Sequence, residues 1–192
     1  MEGRYTIILL PEKSVGDLVS NMRKDLADLT KIPSVPPHVT LREDFFSNDI
    51  DKFIVEYKKE ISGIKSFKLN ITGMQVFQRG HIVFLVQNND LLQELHEKAV
   101  IISQKYVSTP RIIDFECELN DEQKEMIKKY QSPFYFKYYS PHITVVRLKD
   151  FNDKEKILNL ITKYQMPKSF LVSKICVYDK LKKEIYQSIY VF

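Results

Sequence analysis

Apolar and polar positions alternate between two periods along this chain. Residues 5–10 form a short β-rich apolar run that ends at Pro11, the pattern of a buried strand. Ser14 then caps a predicted helix in which Val15, Leu18, Val19, Met22, Leu26 and Leu29 recur at the three-to-four spacing of one face. Pro33, Pro36 and Pro37 stop that helix and lead into an extended segment at 38–42. A second helix is predicted over 49–61 from Ile50, Phe53, Ile54, Tyr57 and Ile61, with Asn48 or Asp49 as cap and Gly63 beyond its end. Strands at 67–76 and 81–87, joined at Gln78-Arg79-Gly80, predict a hairpin. Asn89 or Asp90 caps a third helix carrying Leu91, Leu92, Leu95, Ala99 and Ile102, which ends near Tyr106.

The stretch 107–139 is less regular, with a short helix at 121–129 and a dense aromatic run at 134–139. After it come an extended segment at 140–147, a helix at 153–164, and strands at 170–178 and 185–192 that form another hairpin. A Pro-His-x-Thr strand, a helix and a hairpin thus occur once before residue 88 and again after residue 140. The simplest architecture is α+β: two similar lobes, each a small antiparallel sheet with helices packed on one face, whose polar strands meet in a single cleft if the lobes face one another. No Gly/Ser linker divides the chain, so residues 1–192 are expected to form a single compact unit.

With 192 residues and 44% hydrophobic content, the chain can build a real core, which excludes disorder as the default. A net charge of +4 from 29 basic and 25 acidic residues does not predict a sequence-blind wrap around duplex DNA, but it allows a small anionic ligand. Only six of the basic residues are arginines: Arg4, Arg23, Arg42, Arg79, Arg111 and Arg147. Cys117 and Cys176 show no metal-knuckle or disulfide spacing and read as small hydrophobes. No apolar run approaches the roughly 18 residues that span a membrane, and the start is not a secretory signal. A soluble, cytoplasmic, monomeric protein is the expectation.

The chemistry concentrates in Pro37-His38-Val39-Thr40-Leu41 and Pro141-His142-Ile143-Thr144-Val145. Side chains two apart on a strand share a face, so His38 projects with Thr40 and His142 with Thr144. A lone His-x-Thr strand is ordinary, but two copies with the same flanks, in an echoing topology, point to one shared site. Imidazole ionises near neutral pH and can take or give a proton, so two opposed histidines can serve as acid and base of a phosphodiester cleavage. The threonine hydroxyls can donate to non-bridging phosphate oxygens. No His-x-x-x-His or His-Glu-x-x-His occurs and neither motif has a carboxylate in matching parity, so no metal is expected.

Arg42 shares the parity of His38, which allows a phosphate contact or an exposed strand end. Arg147, five residues after His142, has the wrong parity and reaches the cleft only if the strand bulges or ends there. Tyr138 and Tyr139 can stack on a base or pack in the core, and Phe45 and Phe46 share that ambiguity. His81 reads as a strand-end residue and His96 as a helix-boundary one.

The paired motifs resemble the twin signatures of the two-histidine (2H) phosphoesterases, the superfamily of RNA 2′,3′-cyclic phosphodiesterases often named 2′-5′ RNA ligases. The resemblance covers most of the chain. It implies a bilobal α+β fold with pseudo-two-fold symmetry, helices on the outer faces of two small antiparallel sheets and the active cleft between the lobes, and a metal-independent, cofactor-free reaction on a 2′,3′-cyclic phosphate or a 2′-5′ phosphodiester. His38 and His142 would be acid and base, and Thr40 and Thr144 would hold the phosphate; beside them Arg42, Arg147 and Tyr139, from their positions near the motifs, are the candidate substrate contacts. The partner would be an RNA terminus, an oligonucleotide, cyclic ones included, or a small nucleotide. The long 107–139 segment departs from a compact member and bears on the substrate. The alternative is a non-catalytic RNA-end or nucleotide binding module that retains the cleft.

Overall fold

A computed structural model describes residues 2–110 and 118–192. Arg111 and Cys117 lie outside the described residues. The elements in chain order are β1 (Gly3–Pro11), α1 (Lys13–Asp25), β2 (Thr30–Lys31), β3 (Val39–Ser47), α2 (Ile50–Glu60), β4 (Lys68–Val76), β5 (His81–Val86), α3 (Asp90–Gln104), α4 (Asp121–Tyr130), β6 (His142–Leu148), α5 (Lys154–Ile161), β7 (Ser169–Asp179) and β8 (Glu184–Val191). Short 3₁₀ turns at Phe136–Tyr138 and Phe151–Asp153 complete the set.

The α+β class holds, and every strand pairing is antiparallel. The two small sheets expected from the echo are instead joined: β1 pairs β3, β3 pairs β6, β6 pairs β5, β5 pairs β4, β4 pairs the start of β7, and β7 returns to β1. β8 lies along the other edge of β7, and the two-residue β2 extends the far end of β6. β1 therefore has neighbours on both sides, and its buried run Ile7, Ile8, Leu9 is apolar on both faces rather than alternating.

One core joins the strands to α1, α2, α3 and α5 through Val15, Val19, Met22, Phe53, Tyr57, Leu92, Leu95, Ala99, Ile157 and Ile161. α1 packs on β6 and α3 on β3. α1 starts at Lys13 rather than at a Ser14 cap, because the Glu12 carbonyl already accepts from Val15 and Gly16 and the Glu12 carboxylate accepts from the Leu171 N–H. The helix also stops before Leu29, since Thr30 and Lys31 are drawn into pairing with Leu148 and Arg147. α3 begins as predicted, with the Asn89 side chain accepting from the Leu92 N–H at 2.9 Å. The segment before the aromatic run holds α4, closed by a capping box at Asn120 and Gln123. Among the described residues no helix is long and apolar enough to cross a membrane.

Candidate active site

β3 and β6 meet at one pair, Val39 opposite Ile143. Extending this antiparallel register by one residue each way sets His38 opposite Thr144 and Thr40 opposite His142. All four are half-buried, whereas Val39, Leu41, Ile143 and Val145 face inward and are fully buried. The sequence parity is therefore realised, and two segments about a hundred residues apart make one polar patch.

Each histidine is held in the same way. His38 Nδ1 lies 2.7 Å from the Pro36 carbonyl and His142 Nδ1 lies 2.8 Å from the Ser140 carbonyl. A carbonyl only accepts, so Nδ1 carries the proton in both rings and Nε2 is left as the reactive nitrogen. The proline of each motif is the residue between that carbonyl and the histidine, and its fixed φ limits how the loop can place it. Thr40 Oγ1 lies 3.1 Å from His38 Nε2, and the edge of Phe77 meets the His142 ring with centroids 4.9 Å apart. Burial lowers both histidines. His38 is brought to about 4, with Arg23, His142 and Lys180 as further cationic neighbours, and His142 is shifted in the same direction by burial.

Both strands bulge immediately after their threonine. In β3, Ile8 pairs with Thr40 but Ile7 with Arg42, so Leu41 is the extra residue. In β6, Val83 pairs with Thr144 but Ile82 with Val146, so Val145 is the extra residue. A bulge sends two successive side chains to one side and reverses the parity of the residues beyond it. The consequences for the two arginines are opposite. Arg42 turns inward with 1% exposure, donating from Nε to Ser103 Oγ at 3.0 Å and from Nη1 to the Tyr135 hydroxyl, with its guanidinium over the Phe45 ring. It does not line the cavity, and the expected phosphate contact is corrected to a role inside the protein. Arg147 turns outward beside His81 and donates from Nε to the Arg79 carbonyl at 3.0 Å, but despite the bulge it is not among the residues that line the cavity.

A cavity of about 940 Å³ opens over this face. Thr40 and His142 line it; His38 and Thr144 lie on the same face next to them but outside its lining. Its walls come from Glu43 on β3, from Phe77, Gln78, Arg79 and His81 of the β4–β5 turn, and from Phe134, Tyr135, Tyr138 and Tyr139 of the aromatic run. The turn is tight: Gly80 adopts φ 76° and donates to the Phe77 carbonyl, a conformation that favours glycine. Tyr139 lines the wall, and one of its ring faces is stacked on His96, 3.8 Å between centroids with the planes 2° apart. Among the described residues no group of three or more His, Cys, Asp or Glu is placed to hold a metal ion.

Four contributors escaped the sequence reading. Phe77 meets the His142 ring and His81 lines the same cavity, both from a hairpin that reads as ordinary. His96 is no boundary residue. It has 0% exposure, donates from Nδ1 to the Leu41 carbonyl at 2.6 Å, and accepts the Phe136 N–H at Nε2 at 3.1 Å. Arg23, 6% exposed on α1, sends Nε to the Val145 carbonyl, Nη2 to the Thr144 carbonyl and Nη1 to the Val35 carbonyl, at 2.9, 2.8 and 2.8 Å. A signal existed for it: 15, 19 and 23 continue one helical stripe, and an arginine on a buried stripe needs partners.

His96 makes a stability prediction. Burial lowers its pKa to about 4, below the ordinary value of about 6.5, so between those values the unfolded chain binds the extra proton. The contribution is present above pH 6.5 and is lost as pH falls towards 4. It should amount to about 3 kcal/mol. Urea titrations at pH 7 and pH 4.5 should show this sensitivity in the native protein and a reduced one in His96→Asn; equal slopes would remove His96 as the cause.

The sequence matches the model of the 2′-5′ RNA ligase superfamily over residues 11–184. Among solved structures, Escherichia coli LigT in its apo form is similar at 13% identity and a TM-score of 0.53, covering 93% of this chain and 87% of that one. The same protein complexed with 3′-AMP gives 12%, 0.54 and the same coverage. A structure described as a phosphoesterase gives 14%, 0.53, and 93% and 88% coverage. No curated protein sequence gives a significant match.

Proposed function

The chain belongs to the 2′-5′ RNA ligase superfamily, within the 2H phosphoesterases, and from that premise we propose that it is a phosphodiesterase of 2′,3′-cyclic phosphates or 2′-5′ phosphodiesters in RNA ends or small nucleotides, working by paired-histidine acid–base catalysis without a metal. The observation that carries the reading is the single Val39–Ile143 pairing, which brings two identically tethered histidines and two threonines to one face.

For a cyclic phosphate the steps balance simply. Nε2 of one imidazole takes a proton from water as its oxygen bonds to phosphorus. The bond to one ribose oxygen breaks, and the other histidine, as imidazolium, gives that oxygen its proton, leaving a phosphomonoester. Thr40 and Thr144 hydroxyls donate to the non-bridging oxygens where charge accumulates. Arg79 adds positive charge in the wall of the cavity, and Arg147, outside the lining, donates to the Arg79 carbonyl.

The direct test incubates the protein, with EDTA, against 2′,3′-cyclic nucleotides, 2′-5′ and 3′-5′ oligonucleotides and cyclic oligonucleotides. A product that depends on His142 and tolerates EDTA is expected. Silence from folded protein that still binds nucleotide would favour the binding module, and activity restored only by added metal would overturn the metal-free mechanism.

The shifts of the two histidines also set the pH profile. The free enzyme must hold one histidine charged and one neutral, so kcat/KM is a bell bounded by two macroscopic pKa values. Burial lowers both histidines, so the bell should be centred below about 6.5 and fall about tenfold per unit above its upper pKa. A bound phosphate anion raises both values, which moves the kcat bell to higher pH than that of kcat/KM. A kcat/KM optimum above about pH 7.5, or a single limb, would count against this pairing.

A further inference from the structure

A bulge interrupts the ladder, so the carbonyls beside it need donors from elsewhere. At β6, one guanidinium supplies them: Arg23 of α1 serves the Thr144 and Val145 carbonyls. At β3, the corresponding carbonyls of Thr40 and Leu41 are served by two groups. The Tyr139 hydroxyl donates to Thr40 at 2.8 Å, and His96 Nδ1 donates to Leu41 at 2.6 Å. These two rings are the parallel stacked pair, and His96 also fixes the Phe136 N–H at the start of the 3₁₀ turn that carries the aromatic wall.

We infer that the stacked His96–Tyr139 pair is the positioning device of the first catalytic strand. It clamps the carbonyls at the Leu41 bulge so that Thr40 is held towards the phosphate, and it ties that strand to the aromatic wall of the cavity. The inference rests on the proposed function for what Thr40 does, and on geometry alone for the clamp. Tyr139 acts on the strand through its hydroxyl, while His96 covers one of its two ring faces. Motif one is thus built from three separate segments, whereas a single guanidinium steadies motif two.

The test uses Tyr139→Phe, which keeps the stacked ring and removes only the hydroxyl, together with His96→Leu and His96→Asn; an asparagine Nδ2 can replace the Nδ1–H donor. With a 2′,3′-cyclic nucleotide, Tyr139→Phe should lower kcat about tenfold with KM changed less than about twofold. His96→Asn should recover part of what His96→Leu loses. Amide hydrogen exchange reads the clamp without turnover: exchange in residues 39–43 should speed up about tenfold in Tyr139→Phe, with residues 143–147 unchanged. Wild-type kcat in Tyr139→Phe, a rise confined to KM, or unchanged exchange at 39–43 would each overturn the inference. Should the wild type give no His142-dependent product, the proposed function fails, and exchange alone then decides the clamp. Failure of His96→Leu to fold leaves Tyr139→Phe as the deciding variant.

Discussion

His142→Ala should lower kcat/KM on a cleavable phosphodiester by about 10²- to 10⁴-fold, the usual worth of a positioned acid or base. His38→Ala should do the same. The double variant should lose little more than either single one, because an acid without its base partner no longer completes the proton transfer. Most of the loss should fall on kcat, as the Thr40 and Thr144 hydroxyls and Arg79 in the cavity wall remain to bind the phosphate. His142 is half-buried against Phe77 and donates one hydrogen bond to Ser140, so the fold should survive the change. Circular dichroism and melting of each variant beside its kinetics would separate lost chemistry from lost structure. A loss below about fivefold in either single variant would sink the paired mechanism.

Arg23→Met should destabilise the protein by about 3 kcal/mol and lower Tm by roughly 10 °C, although Arg23 contacts no catalytic side chain by hydrogen bond. Methionine fills similar space but leaves the Val35, Thr144 and Val145 carbonyls without their donors. Each orphaned carbonyl costs about 1–3 kcal/mol, partly offset because a buried cation has also been removed. Burial lowers the Arg23 pKa only to about 10, so it is charged at neutral pH. Arg23→Lys should recover little, since an ammonium cannot span the three acceptors served by a planar fork. Urea unfolding with an unchanged m-value is the measurement, and a loss under about 1 kcal/mol would mean that water replaces the arginine.

The polar face of the site was legible because a strand has a period of two: His38 with Thr40, and His142 with Thr144, needed only parity. What parity could not show was the bulge after each threonine. In β6 the run Ile143, Val145, Val146, Leu148 carries a trace of it, as two apolar neighbours break the alternation. In β3 the second inward position is Arg42, so no apolar doublet marks the shift, and the arginine reads as exposed when it is interior. The joining of the sheets was equally hidden. Local patterns specify strands, whereas the return of β7 to both β1 and β4 depends on contacts between the chain's distant ends.

That return of β7 also sets the order in which the molecule can assemble. β1 is made first, yet one of its two neighbours is synthesised about 160 residues later, and β3 waits about a hundred residues for β6. Contacts so far apart in sequence close late and slowly. Until Ile143 meets Val39, no folding intermediate holds both imidazoles, so recovery of turnover during refolding should trail the return of helical signal.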